Sequence, residues 1–553
     1  MQGPGKEHSD MPKVIFPQYV SGREGIDVRI GATLMDHARE LRIPVASACG
    51  GHGLCGKCVV RIDRGLSSLA PKTSVELAYD LARDERLACQ ARVISGSQDI
   101  DVYVKAAGEF TILTESIEGS VPLDPIVHRQ GDQVVLEGMR TRSLGTYEGE
   151  LLGVAVDVGT TTMVAQLLDL ESGRVLTTVA CKNPQAAYGD DVISRIGHTI
   201  QHKDGLARLQ SAVVDALNAL LANAPRDGES SLADHVYEVV VVGNPTMRDL
   251  FFGRNVHSLG VSPYEPEDPS AISVCAGDIG LEVRRDAHVY GAPLIAGQVG
   301  ADCLAAVLAC DLYRGEEPAM MVDIGTNGEV AVGNRQRILA ASNAAGGAFE
   351  GAGVTCGTGG IQGAIKNVWI NDGEIRYETI GGEPPIGICG SGLIDLLAEM
   401  LREGIIDRRA RLADPFQKAN RFVVASNSAT IAITQKDIYE LRLAKAGSAL
   451  NQQTLMRKYG VDLAGLERIS LAGGFGNYVH LESAMAIGVL PGAKEKLVKI
   501  GNGALTGARQ MLLSRERRED AERIAPQVEH VKLAEEEDFL DRYVQELYLR
   551  GWP

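Results

Sequence analysis

Four of the ten cysteines stand in a pattern suited to holding metal. Cys49, Cys55 and Cys58 fall in the run C-G-G-H-G-L-C-G-K-C, and Cys89 follows after thirty residues in R-L-A-C-Q. Thiolates are soft ligands and select iron–sulfur clusters or zinc. Gly50, Gly51, Gly53 and Gly56 would let the loop take the backbone angles needed to wrap a cluster and aim N–H groups at sulfur. Structural zinc loops come as two close pairs, whereas this is a triplet plus one distant ligand. A [2Fe–2S] cluster on Cys49, Cys55, Cys58 and Cys89 is therefore the expected metal site, with structural zinc or four unrelated buried thiols as the alternatives. His52 suggests Rieske ligation only if two histidines replace two cysteines, and four cysteines are present; it is expected to be an exposed loop residue.

A second chemistry is written twice. The apolar run V-A-V-D-V-G-T-T-T at 154–162 ends in Asp157-Val-Gly159-Thr160-Thr161, and M-M-V-D-I-G-T-N-G-E at 320–329 ends in Asp323-Ile-Gly325-Thr326-Asn327. At a strand end, glycine lets backbone approach a phosphate, the hydroxyl and N–H groups donate to it, and the carboxylate orients Mg²⁺-bound water. One such loop is weak evidence, since an aspartate there also caps a turn or helix; two copies 166 positions apart imply two similar lobes. A third turn, I-S-L-A-G-G-F-G at 469–476, follows another apolar run. Gly473, Gly474 and Phe475 there would let adenosine lie against the backbone. The chain has neither a Walker A sequence nor a G-x-G-x-x-G fingerprint after its first strand, which excludes a P-loop ATPase. ATP and Mg²⁺ are thus the expected ligands, with Asp157 and Asp323 as the catalytic carboxylates.

The elements around these residues order themselves to match. Residues 1–11 read as a flexible tail. From 12 to 105 come strand-like V-I-F-P-Q-Y-V and D-V-R-I, a helix over T-L-M-D-H-A-R-E-L-R-I, the cysteine loop, the strand V-V-R-I-D, a helix near Val75–Ala82, and the strands A-R-V-I and I-D-V-Y-V. That order predicts a β-grasp ferredoxin domain. Residues 106–150 have mixed polarity and no strong period, and read as a linker with a short hairpin near Val134–Leu136. Residues 151–553 alternate apolar strands with helical stretches, an α/β architecture, with a first lobe at about 151–315 and a second at about 316–553.

Bulk properties narrow the partners. The formal net charge of −17 would repel a polyanion, so nucleic acid is not an expected partner. The first residues lack the apolar core of a signal peptide, and no apolar run is long enough to predict a membrane span. The six remaining cysteines are scattered from Cys181 to Cys389, unlike a secreted disulfide framework; a reducing cytoplasm is expected. Cys303 and Cys310 read as core residues, and Cys356 and Cys389 as small-residue packing in Gly-rich loops.

Two phosphate loops and an adenosine turn resemble the sugar kinase, Hsp70 and actin superfamily. The five-residue gap between Cys49 and Cys55 resembles adrenodoxin-like ferredoxins. Fused, the two resemble the [2Fe–2S] reductive activators of corrinoid-dependent enzymes over almost the whole chain. The matching segments include N-P-Q-A-A-Y-G-D-D-V-I-S-R-I (183–196), G-N-P-T-M-R-D-L-F-F-G (243–253), I-A-G-Q-V-G-A-D-C-L-A-A (295–306), G-G-A-F-E-G-A-G (346–353), G-I-C-G-S-G-L-I-D (387–395) and I-G-N-G-A-L-T-G-A (500–508). This chain departs from that pattern in having Gly346-Gly347-Ala348 where Gly-Pro-Ala is usual, and in a short stretch between ferredoxin and ATPase, so that a separate middle domain is expected to be absent or reduced. The resemblance implies an enzyme that takes one electron from a cellular donor and passes it, with ATP, to Co(II) of a corrinoid protein in a methyltransferase system. It also implies a homodimer, while the lack of a long apolar run is what predicts no membrane partner. A redox-regulated small-molecule kinase, a scaffold delivering clusters or corrinoid, and an activase for another low-potential metalloenzyme are the competing readings.

Overall fold

The computed structural model describes residues 12–17, 25–41, 43, 45, 58–79, 81–104, 121–138, 141–224, 232–325, 327–343, 347–351, 353–426, 430–473 and 478–552. Two compact units emerge: residues 1–107 with 182–216, and residues 108–181 with 217–553.

The first unit is built on β1 (Lys13–Ile15), β2 (Ile26–Asp27), β3 (Val59–Arg64), β4 (Glu85–Leu87) and β5 (Ile100–Val104), in the order β2-β1-β5-β3-β4. β1 and β5 run parallel and the other pairs antiparallel. Side chains alternate as a one-faced sheet requires: Val60, Ile62, Val102 and Val104 are buried, while Arg61 and Asp63 are exposed. The buried set packs with Leu34, Met35 and Ala38 of the helix Leu34–Glu40. That helix begins at Thr33, whose hydroxyl accepts from Asp36 N while Asp36 returns the contact to Thr33 N. This is the β-grasp arrangement that the order of elements predicts. The helix expected near Val75–Ala82 is one turn, Ser74–Leu77, and A-R-V-I contributes isolated bridges at Arg92 and Val93 rather than a strand.

In the second unit, β6 (Val127–Gln130), β7 (Gln133–Leu136) and β8 (Arg142–Thr146) form an antiparallel three-stranded sheet. The stretch read as a linker thus carries a third strand beyond the hairpin near Val134–Leu136; residues 105–120 lie outside the described residues. Few of its side chains, chiefly Val127, Val134 and Leu144, join a core, which is why its polarity shows no strong period.

Two six-stranded sheets follow. The first contains β9 (Leu152–Val158), β10 (Thr162–Asp169), β11 (Val175–Lys182), β12 (Val236–Gly243), β13 (Ile272–Cys275) and β14 (His288–Gly291). The chain continues through β15 (Ala319–Ile324), β16 (Gly328–Gly333) and β17 (Ile338–Asn343), then a side sheet of β18 (Ala364–Asn371), β19 (Glu374–Thr379) and β20 (Gly387–Ile388). A hairpin of β21 (Arg421–Ser426) and β22 (Thr430–Thr434) precedes β23 (Ile469–Ala472), β24 (Leu497–Gly501) and β25 (Glu529–His530). The orders β11-β10-β9-β12-β14 and β17-β16-β15-β23-β24 repeat one motif: the strand that ends in Asp-x-Gly-Thr pairs antiparallel with the strand after it and parallel with the strand on its other side, which pairs parallel with the next. β12, reading V-Y-E-V-V-V-V-G, is buried at all eight positions, as a strand covered on both faces must be. The duplication read from the two Asp-x-Gly-Thr runs is therefore a duplication of whole sheets, as in the actin-like fold. Helices Ala301–Ala309 and Gly503–Leu513 pack together and share one core with Ala155, Val240 and Met321, so residues from both sheets enter it. No helix among the described residues is long and apolar enough to cross a membrane.

Candidate functional site

Cys58 and Cys89 are distant in sequence and adjacent in space. Their Sγ atoms stand 3.3 Å apart and both residues are buried. A buried ion pair fixes the approach: Arg86 Nε and Nη2 donate to Glu76 at 2.8 and 2.9 Å, and Leu87 N donates to Glu76 Oε1 at 3.0 Å. Burial alone would raise the Glu76 carboxyl, but Arg86 and the backbone donors outweigh it and hold it below its usual value. Ala88 N then donates to Cys58 O at 2.8 Å, aligning the two thiols. A disulfide needs about 2.05 Å, whereas two thiolates on one tetrahedral metal with bonds of about 2.3 Å stand about 3.8 Å apart. At 3.3 Å the pair is no disulfide and stands nearer the separation of two thiolates on one metal. Cys49, Cys55 and His52 lie outside the described residues. Cys303 and Cys310 are buried among apolar neighbours, as core residues should be. Cys389 is buried with its thiol toward Ile365 O, and Cys356 is half-buried.

The two phosphate-type loops are the hairpin turns of equivalent strand pairs. Asp157 pairs with Val164 across β9–β10, and Asp323 with Glu329 across β15–β16. Gly159 N donates to Thr162 O and Gly325 N to Asn327 O, both at 3.0 Å. A Cβ on Gly159 would lie 2.5 Å from Thr162 O, so the turn admits only glycine. Gly473, at φ +110°, abuts the second loop: a Cβ there would lie 2.7 Å from Ile324 O and 3.0 Å from Asp323 Oδ1. The structure thus brings Asp157, Gly159, Thr160, Thr161, Asp323, Gly325, Asn327 and Gly473 into adjoining turns. Thr326, Gly474 and Phe475 lie outside the described residues.

Five further residues belong to this cluster that the motifs did not single out. Asn244, after β12, donates Nδ2 to Thr160 Oγ1 at 2.9 Å while its Oδ1 caps the helix Pro245–Phe251. Asn502, after β24, donates to Asp157 Oδ2 at 3.0 Å while its Oδ1 accepts from Leu505 N at 2.8 Å. Each is an Asn following a Gly at a strand end, Gly243-Asn244 and Gly501-Asn502, which is the signal that would have found them. Glu350 accepts from Thr161 Oγ1 at 3.2 Å. Asp302, on the helix Ala301–Ala309, accepts from Cys303 N at 2.8 Å, and Glu329 on β16 accepts from Ser342 Oγ at 3.0 Å.

Burial raises these carboxyls, and for three of them neighbouring carboxylates add to it. Burial pushes Asp157 up to about 6 against the pull of Asn502. Burial and then Asp157 push Asp302 to about 7. Burial, Asp157, Asp302 and Glu350 push Asp323 to about 8. Burial with Asp302 and Asp323 drives Glu329 well above its usual range. A bound cation would favour the ionised forms of these carboxyls and so oppose the shifts. Among the described residues no three carboxylates stand close enough to hold a metal ion directly, so Mg²⁺ here would be held through its own waters and the oxygens of a triphosphate.

A β-grasp domain that pairs buried thiols, on one chain with a duplicated nucleotide-binding fold lined by carboxylates, defines an iron–sulfur ATPase. Residues 19–93 match the 2Fe-2S iron-sulfur cluster binding domain, 152–315 the RACo middle region, and 317–552 the C-terminal domain of RACo, the ASKHA domain. The corrinoid activation enzyme RamQ of Eubacterium limosum is 32% identical, over 96% of this chain and 98% of that protein. The [Co(II) methylated amine-specific corrinoid protein] reductase of Methanosarcina barkeri is 28% identical, over 73% of this chain and 78% of that one. A solved structure of a reductive activator for corrinoid, iron-sulfur protein superposes with a TM-score of 0.72 at 30% identity, covering 98% of both chains. The chain belongs to the family of the corrinoid reductive activators. The segment matching the middle region is the one read as the first ATPase lobe, so a middle region is present within 152–315 rather than between ferredoxin and ATPase.

Proposed function

We propose that this protein uses ATP to return a corrinoid protein of a methyltransferase system from Co(II) to Co(I), passing it one electron. The observation that carries the reading is the chain-long match to corrinoid activators, cluster domain and ATPase together. When bound, the [2Fe–2S] cluster supplies a one-electron store, with Cys49, Cys55, Cys58 and Cys89 as its ligands. Centres of the plant type lie near about −400 mV, and each ~59 mV of uphill gap lowers a one-electron equilibrium tenfold. Co(II) reduction is harder than that, so nucleotide must favour a corrinoid-bound arrangement of the protein, which it can do only by binding two arrangements unequally.

In this reading Asp157 and Asp323 would hold Mg²⁺ through its hydration shell and orient water at the terminal phosphate, with Mg²⁺ supplying charge neutralisation there. Gly159, Thr160, Thr161, Gly325, Thr326 and Asn327 hold the phosphates, and Gly473, Gly474 and Phe475 flank adenosine. Asn244 and Asn502 keep the first loop in place. The functional divisions run 12–105 for the ferredoxin and 151–553 for the ATPase, with lobes at about 151–315 and 316–553. A cytoplasmic setting, a cellular electron donor and a homodimer complete the proposal.

The test mixes reduced protein, Mg–ATP and a Co(II) corrinoid protein and follows the Co(I) absorption band. Co(I) should accumulate only when cluster and hydrolysable nucleotide are both present. Equal yield without nucleotide would remove the coupling, and a phosphorylated metabolite in place of free phosphate would favour the kinase reading.

A further inference from the structure

One carboxylate stands where phosphate is expected. Glu350 Oε2 accepts from Thr161 Oγ1 at 3.2 Å, across 189 residues and from one lobe to the other. Its second oxygen, Oε1, lies 3.6 Å from where a Cβ on Gly325 would be. The carboxylate therefore touches the turn of the first phosphate loop and borders the turn of the second. It also acts on Asp323. Glu350 is not a side chain that happens to reach in. It ends the short turn Ala348–Glu350, whose Ala348 and Phe349 are buried in the second-lobe core, and its own N–H donates to Gly347 O at 2.9 Å.

We infer that Glu350 holds the place of the terminal phosphate of ATP and makes the site distinguish a nucleoside triphosphate from a diphosphate. The inference rests on the reading of Thr161 as a phosphate contact. A carboxylate and a phosphate oxygen compete for the same hydroxyl proton, and the two anions repel at such range. A triphosphate reaching between the loops must take Thr161 from Glu350 and displace the turn Ala348–Glu350. A diphosphate ends short of that position and leaves the contact in place. The contact thus ties the presence of the γ-phosphate to the position of an element of the second lobe, which is the differential interaction that a nucleotide-driven change requires.

The test is isothermal titration of the full chain with Mg–ADP and with a non-hydrolysable Mg–ATP analogue, in wild type, Glu350→Gln, Thr161→Ala and the double variant. The cluster absorption serves as a check on folding. Gln keeps the shape and removes the charge, so Glu350→Gln should bind the triphosphate about 10-fold more tightly, the size of one charge-assisted hydrogen bond, with diphosphate affinity unchanged. In the Thr161→Ala background that gain should shrink, leaving only the part that comes from removing the repulsion between the two anions. Weaker triphosphate binding in Glu350→Gln would make the residue a metal or water ligand and overturn the inference. So would an equal change for both nucleotides, or none. If Thr161→Ala alone binds both nucleotides as wild type does, the phosphate-loop reading falls and takes the inference with it. If Thr161→Ala weakens the triphosphate while Glu350→Gln does not tighten it, the inference alone falls.

Discussion

Asp157 and Asp323 occupy the same place in two copies of one hairpin, yet their surroundings differ. Asp157 has a neutral partner: Asn502 donates to it, and the adjoining Thr160 is held by Asn244. Asp323 faces Asp157, Asp302 and Glu350, and pairs across the strands with Glu329. The first carboxyl is accordingly raised to about 6 and the second to about 8. A repeated backbone motif thus fixes where a carboxylate stands, while the side chains that arrive from elsewhere decide its charge. The first loop is held by two asparagine side chains, whereas the carboxyl of the second is surrounded by other carboxyls.

Removing either carboxylate should produce the largest effect. Asp157→Asn and Asp323→Asn should each lower ATP turnover by about 10²-fold or more, as expected for groups that position metal and water. The comparison adds a distinction in stability. Asparagine at either position removes a carboxyl whose ionisation the fold opposes, so both variants should raise the melting temperature of the nucleotide-free protein, Asp323→Asn more than Asp157→Asn because its shift is the larger. Phosphate release and thermal unfolding measure the two effects. Normal turnover in both variants would show that the nucleotide binds elsewhere, and equal melting shifts would erase the difference between the loops.

A smaller effect should appear in pH dependence. Asp157, Asp302 and Asp323 stand at about 6, 7 and 8, against an ordinary 3.8. Between about pH 4 and 8 the folded protein keeps protons that the unfolded chain has released, so unfolding releases protons and stability falls as pH rises through that window. Mg²⁺–nucleotide must displace the same protons. Its stabilisation, read as the rise in melting temperature on adding Mg–ADP, should therefore grow from pH 5.5 to 8.5. Titration at pH 7 in buffers of different ionisation enthalpy should show net proton release. A flat profile, or proton uptake, would mean that these carboxylates are ionised before the ligand arrives.

How much of this was legible in the sequence follows from what each feature depends on. The iron–sulfur domain was legible because a cluster-binding loop leaves a local cysteine spacing plus one distant cysteine in the sequence. The Asp-x-Gly-Thr turns were legible because the turn itself demands glycine, and the repeat announced two lobes before any sheet order was known. Asn502 and Glu350 were not, because their meaning lies 345 and 189 residues away, on Asp157 and Thr161. Glu329 sits inside the quoted run M-M-V-D-I-G-T-N-G-E, but only strand pairing puts it across from Asp323. The sheet of β6, β7 and β8 was hidden for a different reason: strands with one sparse apolar face leave a weak alternating pattern, and loop-like polarity dominates.

The smallest effect tests the comparison most finely, because it asks whether the two asparagines that hold the first loop are equivalent. Both cap a helix, Asn244 at Met247 N and Asn502 at Leu505 N. Alanine at either position removes that cap and should cost about 1 kcal/mol, read by denaturant unfolding. Their second contacts differ in kind. Asn244 holds a neutral hydroxyl on Thr160, so its loss should loosen the loop without altering any charge. Asn502 favours the ionised form of Asp157, so its loss should let that carboxyl rise toward the value of Asp323. Asn502→Ala should then release more protons than wild type when Mg–ADP binds at pH 7, and Asn244→Ala the same number as wild type. Identical proton release in both variants, with equal losses of stability, would reduce Asn502 to a helix cap and leave burial alone to explain why the two carboxylates differ.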